Sequence, residues 1–225
     1  MGKIVKINIF YILCFCFFIL SDNCFAHKSL MFTNITGGQF TVSWVTSYPC
    51  IAKIRLLGSN SITNEYYDDR GKCVKDTTHY ITVSELNENT QYSFIIIIND
   101  TIDDNDGQMY TIKTGPNLIP IGSILSAGKV FLPDETPASG AIVYVQIFNS
   151  DTKSALLSTL VDKFGYWYIE LINTRTSDMK NIFNPTSDDN LAISVIGGDR
   201  GSANLEYSVM DSKGGKNLYP SIILE

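Results

Sequence analysis

Few side chains in this sequence have chemistry to offer. Its 225 residues contain two histidines, His27 and His79. A dinuclear metal hydrolase needs several histidines and carboxylates at close range, and a serine nucleophile needs a partnered histidine. No Gly-x-Ser-x-Gly elbow occurs. His79 alternates with Ile81 and Val83, so it reads as a strand residue packed in a core. The run Asp103-Asp104-Asn105-Asp106-Gly107 invites calcium. Aligning Gly107 with the invariant glycine of an EF-hand loop, however, puts Ile102 at the first ligand position and Lys113 where a bidentate glutamate belongs. The run reads instead as an Asp/Asn/Gly hairpin tip, with a looser calcium turn left open, and Asp188-Asp189-Asn190 reads the same way. These residues predict a non-catalytic protein with no metal and no cofactor.

The elements that carry these residues begin with a leader. Lys3 and Lys6 precede an apolar run from Ile9 to Leu20, followed by Ser21-Asp22-Asn23-Cys24-Phe25-Ala26. This is the pattern of a cleaved secretory signal, with cleavage expected after Ala26. The run is too short to span a membrane comfortably, so no transmembrane segment is expected after cleavage. Three of the five cysteines leave with the leader; Cys50 and Cys73 stay and, in an oxidising compartment, predict one disulfide. The expected location is the periplasm, the cell surface or the extracellular space.

The chain carries 17 basic and 23 acidic residues, a net charge of −6. Its lysines and arginines are scattered, so nucleic acid is not an expected partner. From Ser29 to Thr114 the sequence alternates with period two. Phe40, Val42 and Trp44 share one face and Thr41 and Ser43 the other; Ala52, Ile54 and Leu56 then oppose Lys53 and Arg55. Each strand is therefore expected to have one wet side. A last strand, Met109 to Thr114, ends at Gly115-Pro116.

Trp44, the block Leu86-Asn87-Glu88-Asn89-Thr90-Gln91-Tyr92 and the closing Thr114 resemble a fibronectin type III sandwich. The resemblance implies that Trp44 and Leu86 mark the core and that Tyr92 makes the tyrosine corner. Within that superfamily, Val42-Ser43-Trp44-Val45-Thr46 with His79-Tyr80-Ile81-Thr82-Val83 is similar to the domain preceding the catalytic part of purple acid phosphatases. The likeness concerns fold and says nothing about activity.

Residues 117–121, flanked by Pro116 and containing Pro120, read as a linker. Beyond it, strands are predicted at Gly128–Leu132, Ala141–Phe148, Ala155–Val161, Tyr166–Ile172, Leu191–Ile196, Ala203–Val209 and Ser221–Leu224, at the spacing of a second sandwich. Ala138-Ser139-Gly140-Ala141-Ile142-Val143-Tyr144-Val145, Leu157-Ser158 and Asp162-Lys163-Phe164-Gly165-Tyr166-Trp167 resemble the carboxypeptidase regulatory-like, or prealbumin-like, module. The expected architecture is all-β, two antiparallel sandwiches in tandem: a leader over 1–26, a fibronectin type III-like sandwich over 27–116, a linker over 117–121 and a prealbumin-like sandwich over 122–225.

Aromatic and aliphatic runs supply the remaining lead. Tyr166 and Tyr168 must point one way and Trp167 the other, so either one side is an exposed platform for a sugar ring or a partner protein, or both sides are covered. Ile95 and Ile97 alternate with the core residues Ile96 and Ile98; they either lie under side chains of a neighbouring strand or mark a docking surface. The candidate binding surface is thus Tyr166, Trp167, Ile95 and Ile97. Asn34-Ile35-Thr36 and Asn99-Asp100-Thr101 match the glycosylation acceptor pattern. Together these features predict an exported binding or structural module with a protein or glycan partner at the cell surface. Two alternatives are an accessory subunit or truncated relative of a secreted hydrolase, such as a phosphatase, and a carbohydrate-binding module.

Overall fold

The structure, a computed structural model, describes residues 28–57, 63–209 and 216–225. The leader over 1–26 and His27 lie outside the described residues. Among the described residues no helix is long and apolar enough to cross a membrane. The chain is all-β, and the strands of the described residues form four sheets.

The first half contributes β1 (Lys28–Thr33), β2 (Phe40–Cys50), β3 (Ala52–Leu57), β4 (Thr63–Tyr67), β5 (Asp76–Val83), β6 (Gln91–Ile98), β7 (Thr101–Asp103) and β8 (Tyr110–Lys113). Strands β1-β2-β5 form one sheet, while β4-β3-β6-β7, with β8 also on β6, forms the other. Alternation decides what lies between them: Phe40, Val42, Trp44, Ile54, Ile81, Phe94 and Ile96 are fully buried in a single cluster. Tyr92 makes the corner that the resemblance implies, its hydroxyl accepting the Asn87 N–H at 2.7 Å. Leu86 packs against the same cluster. Three strands facing five, with this corner, make a fibronectin type III-like sandwich. The sequence reading missed β4, whose polar Thr-Asn-Glu-Tyr-Tyr shows no apolar alternation because it is an edge strand with both sides partly wet.

The second half contributes β9 (Leu125–Phe131), β10 (Ile142–Phe148), β11 (Leu157–Leu160), β12 (Tyr166–Glu170), β13 (Asn190–Ile196), β14 (Ser202–Ser208), β15 (Lys216–Leu218) and β16 (Ile222–Ile223). One sheet runs β11-β10-β13-β14 and the other β12-β9-β15, with β16 also on β9. Val143, Val145, Ile147, Trp167, Leu171, Leu191, Ile193 and Val195 fill the space between them. Both β15 and β16 pair parallel to β9, a departure from the expected antiparallel sheets.

The two sandwiches stack. A third apolar cluster joins Tyr80 of β5 to Ile142 and Tyr144 of β10, with Met31, Leu156, Leu160 and Ile196 around it. The outer face of β1-β2-β5 therefore lies on the outer face of β11-β10-β13-β14. The expected linker is also anchored, since Asn117 donates its N–H to the Glu88 carboxylate at 2.6 Å.

Candidate binding face and the junction between the sandwiches

Thr41 and Ser43, expected on the wet side of the first sandwich, are completely buried, as are Thr33 and Thr78. The expectation fails because a polar face is being covered by a second polar face that satisfies it. Ser43 Oγ and Tyr144 OH lie 2.8 Å apart, and Thr33 Oγ1 and Ser158 Oγ 2.6 Å apart. Tyr80 OH donates to Ser158 O at 2.9 Å, and Thr78 Oγ1 to Gly140 O at 2.9 Å. Buried hydroxyls paired in this way escape the penalty of an unsatisfied polar group. Burial raises the pKa of both junction phenols, that of Tyr144 to about 12.

Asn34, just after β1, has a left-handed backbone (φ 52°) that asparagine tolerates better than most residues. Its side chain reaches across to β11, where Nδ2 donates to Ser158 O at 3.0 Å and Oδ1 accepts the Ser158 N–H at 2.9 Å. Its own N–H donates to Leu156 O.

At the other end of the junction, Arg70 grips Asp68 through Nε at 2.7 Å and Nη2 at 2.9 Å, and reaches Asp76 through Nη1 at 2.7 Å. Arg200, from the second sandwich, approaches the same Asp76 at 3.2 Å. Burial alone would lower the Arg70 pKa, but the two carboxylates outweigh it and raise it. Gly140 and Gly198 let the second sandwich come this close. Both have positive φ, and a Cβ on Gly198 would fall 2.2 Å from Thr77 Oγ1.

The candidate surface residues separate. Trp167 is completely buried, stacked on Tyr219 with ring centroids 6.2 Å apart. Its indole lies over Gly128, where any Cβ would clash with it. Trp167 is therefore a core residue, and the reading of it as a binding residue is corrected. Tyr166 and Tyr168 form the outward pair, their rings stacked at 6.2 Å. Lys129 Nζ sits 4.6 Å from the Tyr166 ring centre, a cation–π contact. Tyr168 is 51% exposed and pairs across β9 with Ala127, which in turn opposes exposed Leu218. With exposed Phe164 and Ile223, these residues give the outer face of β12-β9-β15 an open patch of aromatic and aliphatic side chains.

Ile95 and Ile97 are buried, at 8% and 4% exposure, so they are not a docking surface. They oppose Arg55 and Lys53 in the sheet, and these pair in turn with Glu65 and Tyr67 of β4. Long cationic side chains cover apolar neighbours with their stems while their charged ends stay wet. Here the ends are tied together: Arg55 and Lys53 both bond Glu65, and those hydrogen bonds, with one from Tyr67, hold the Glu65 carboxyl down at about 2.

No Cys50–Cys73 bridge forms. Cys50 is buried at the end of β2, with Sγ 3.3 Å from His79 Nε2, whereas Cys73 is exposed in the turn between β4 and β5. One sulfur faces the core and the other faces water. His79 itself stacks on Trp44 at 5.1 Å and contacts Thr46 Oγ1 at 3.1 Å. Burial pushes its pKa down to about 4. It is a neutral core residue, out of reach of a substrate.

In the acidic turn, Asp103 accepts the Asn105 N–H and the Tyr110 hydroxyl, and Asp104 accepts the Gly107 N–H. Asn105, Asp106 and Gly107 all have positive φ, as a tight hairpin tip requires. Among the described residues, no group of three or more His, Cys, Asp or Glu could hold a metal ion. Of the two glycosylation patterns, Asn99 sits on an exposed turn, while Asn34 is committed to the junction.

Comparison with family models and with curated proteins gives no match. Among solved structures, the chain is similar to the three fibronectin domains FN1-FN3 of chicken CNTN1, at 10% identity over 88% of this chain and 67% of that one, with a TM-score of 0.28. It is also similar to the central fibronectin-III array of RIM-binding protein, at 14% identity over 83% and 64%, with a TM-score of 0.26. A third similarity is to the Bacillus anthracis TIE protein, at 8% identity over 88% of this chain and 41% of that one, with a TM-score of 0.24.

Proposed function

We propose that this chain is a non-catalytic, exported binding and structural module whose two sandwiches, over residues 27–116 and 122–225 with a joint at 117–121, act as one rigid unit. The carrying observation is the junction: Thr33, Asn34, Ser43 and Tyr80 of the first half hydrogen-bond across to Tyr144 and Ser158 of the second, beside a shared apolar cluster. Independent beads on a flexible joint would keep those groups wet. A rigid unit holds an exposed aromatic face at a fixed angle, as a recognition or spacing element needs. The second sandwich is read as carboxypeptidase regulatory-like. In support, Asp162 caps the turn before β12 by accepting the Phe164 and Tyr166 N–H groups, with Gly165 at positive φ. The non-catalytic reading rests on His79, which is neutral and sealed in the core.

Expression of the full chain in a secreting host tests this proposal. The expected product begins at His27, scatters X-rays as one compact stacked particle, and hydrolyses no phosphate ester or glycoside with or without divalent metal. Retention inside the cell with residues 1–26 attached, two articulating bodies in solution, or turnover lost in His79→Ala would each overturn the corresponding part.

A further inference from the structure

The stacking of the sandwiches creates a cleft that neither has alone. It encloses about 390 Å³ and is lined by Asn34, Thr36 and Gln39 from the first half and by Leu157, Ser158, Tyr168, Ile169, Glu170 and Asn173 from the second. That volume falls within the range of small-molecule sites.

Most of the polar lining is already engaged. Asn34 and Ser158 satisfy each other, Thr36 accepts the Gly38 and Gln39 N–H groups, and Glu170 accepts from Ser123 and the Ile124 N–H. Three groups keep their hydrogen-bonding capacity: the side-chain amides of Gln39 and Asn173 and the phenol of Tyr168 make no hydrogen bond to the described residues. The amides come from opposite halves, and half-exposed Tyr168, stacked on Tyr166, belongs both to the cleft lining and to the aromatic face. No lysine, arginine or histidine lines the cleft, and its one carboxylate is occupied.

We infer that this cleft binds a neutral saccharide. Amides present a donor and an acceptor together, as sugar hydroxyls demand, and an aromatic ring offers its face to the apolar C–H side of a pyranose. An anionic ligand would find no cation, and a purely apolar one would strand the two amides. The inference rests on the rigid-module reading, because Gln39 and Asn173 face one ligand only while the sandwiches stay stacked.

The test is titration of the mature protein with uncharged oligosaccharides of glucose, N-acetylglucosamine, mannose and galactose, followed by calorimetry and ligand-observed NMR. At least one should bind, and Tyr168→Ala and Gln39→Ala should each weaken it by about tenfold or more, the scale of one lost stacking or hydrogen-bonding partner. Ile102→Ala, on the exposed edge strand β7 and outside the cleft lining, should leave affinity unchanged. No binding by any of these sugars, binding indifferent to both cleft variants, or displacement by an uncharged peptide instead would overturn the inference. X-ray scattering on the same samples separates the two readings: a compact particle that binds no sugar sinks the cleft alone, while an articulating one sinks the rigid module.

Discussion

The side chain of Asn34 pairs with the backbone of Ser158 on both its donor and its acceptor, at 2.9 and 3.0 Å, as the next residue of a neighbouring strand would. One carboxamide thus imitates a peptide unit and extends hydrogen bonding from one sandwich to the other. Asn34→Ala should leave the Ser158 N–H and carbonyl without that partner in a closed interface, at a cost of about 1–3 kcal/mol. Urea denaturation is the check. The loss should fall on the coupling, so that a single unfolding transition separates into two. A single transition with an unchanged midpoint would count against the pairing.

Gly198→Val should be more severe for the junction than for either core. The left-handed backbone resists a β-branched residue, and the new side chain would run into Thr77. The expected result is a folded protein with two thermal transitions and a longer particle in scattering. If the variant remains compact with one transition, the close approach of the Gly198–Arg200 turn to β5 is wrong.

The buried His79 makes stability depend on pH in a defined direction. Its folded pKa is about 4 against an ordinary value of 6.5, so between these limits the unfolded chain binds the proton more readily. Stability from this residue is complete above about pH 6.5 and is lost as the pH falls toward 4. The loss approaches about 3 kcal/mol. Urea midpoints measured across this window should fall steeply for the natural protein and less for His79→Gln. Parallel slopes in the two would show that other groups govern the acid transition.

Trp44→Ala should cost about 3–5 kcal/mol, because the indole is enclosed by the first core. Tyr92→Phe removes only the hydroxyl that accepts the Asn87 N–H, and should cost about 1 kcal/mol. Chemical denaturation of both orders them. Near-equal effects would contradict the placement of Trp44.

In a Trp44→Phe background the remaining indole is Trp167, which should resist iodide quenching because it is sealed against Gly128 and Tyr219. Strong quenching would return it to the surface.

Period-two alternation located most strands and separated the inward residues from the outward ones, since each sandwich sets the polarity of its own faces. Trp44 was legible as a residue sharing a face with Phe40 and Val42 for that reason, whereas Leu86 and Tyr92 were read only from the resemblance of the 86–92 block to a fibronectin type III sandwich. What lies on the outward face is a different matter: Thr41 and Ser43 look alike whether water or a second sandwich covers them. The cover comes from residues more than a hundred positions away, Tyr144 and Ser158. The same blindness affected Ile95 and Ile97, which are hidden by the Lys53–Glu65–Arg55 group on strands whose pairing no local pattern announces. Trp167 was placed in the candidate surface with Tyr166 because alternation divides a strand into two sides without saying which is inward; the glycine at 128, sized for an indole, was the overlooked clue. Cysteine counting failed because it reads compartment, not distance.

The parallel pairing of β15 and β16 with β9 has a consequence for the order of assembly. On a ribosome β9 emerges early and β12 soon after, but the other margin of β9 stays open until residues 216–225 are made. The sheet bearing the aromatic face is thus the last to close, and with it the core around Trp167.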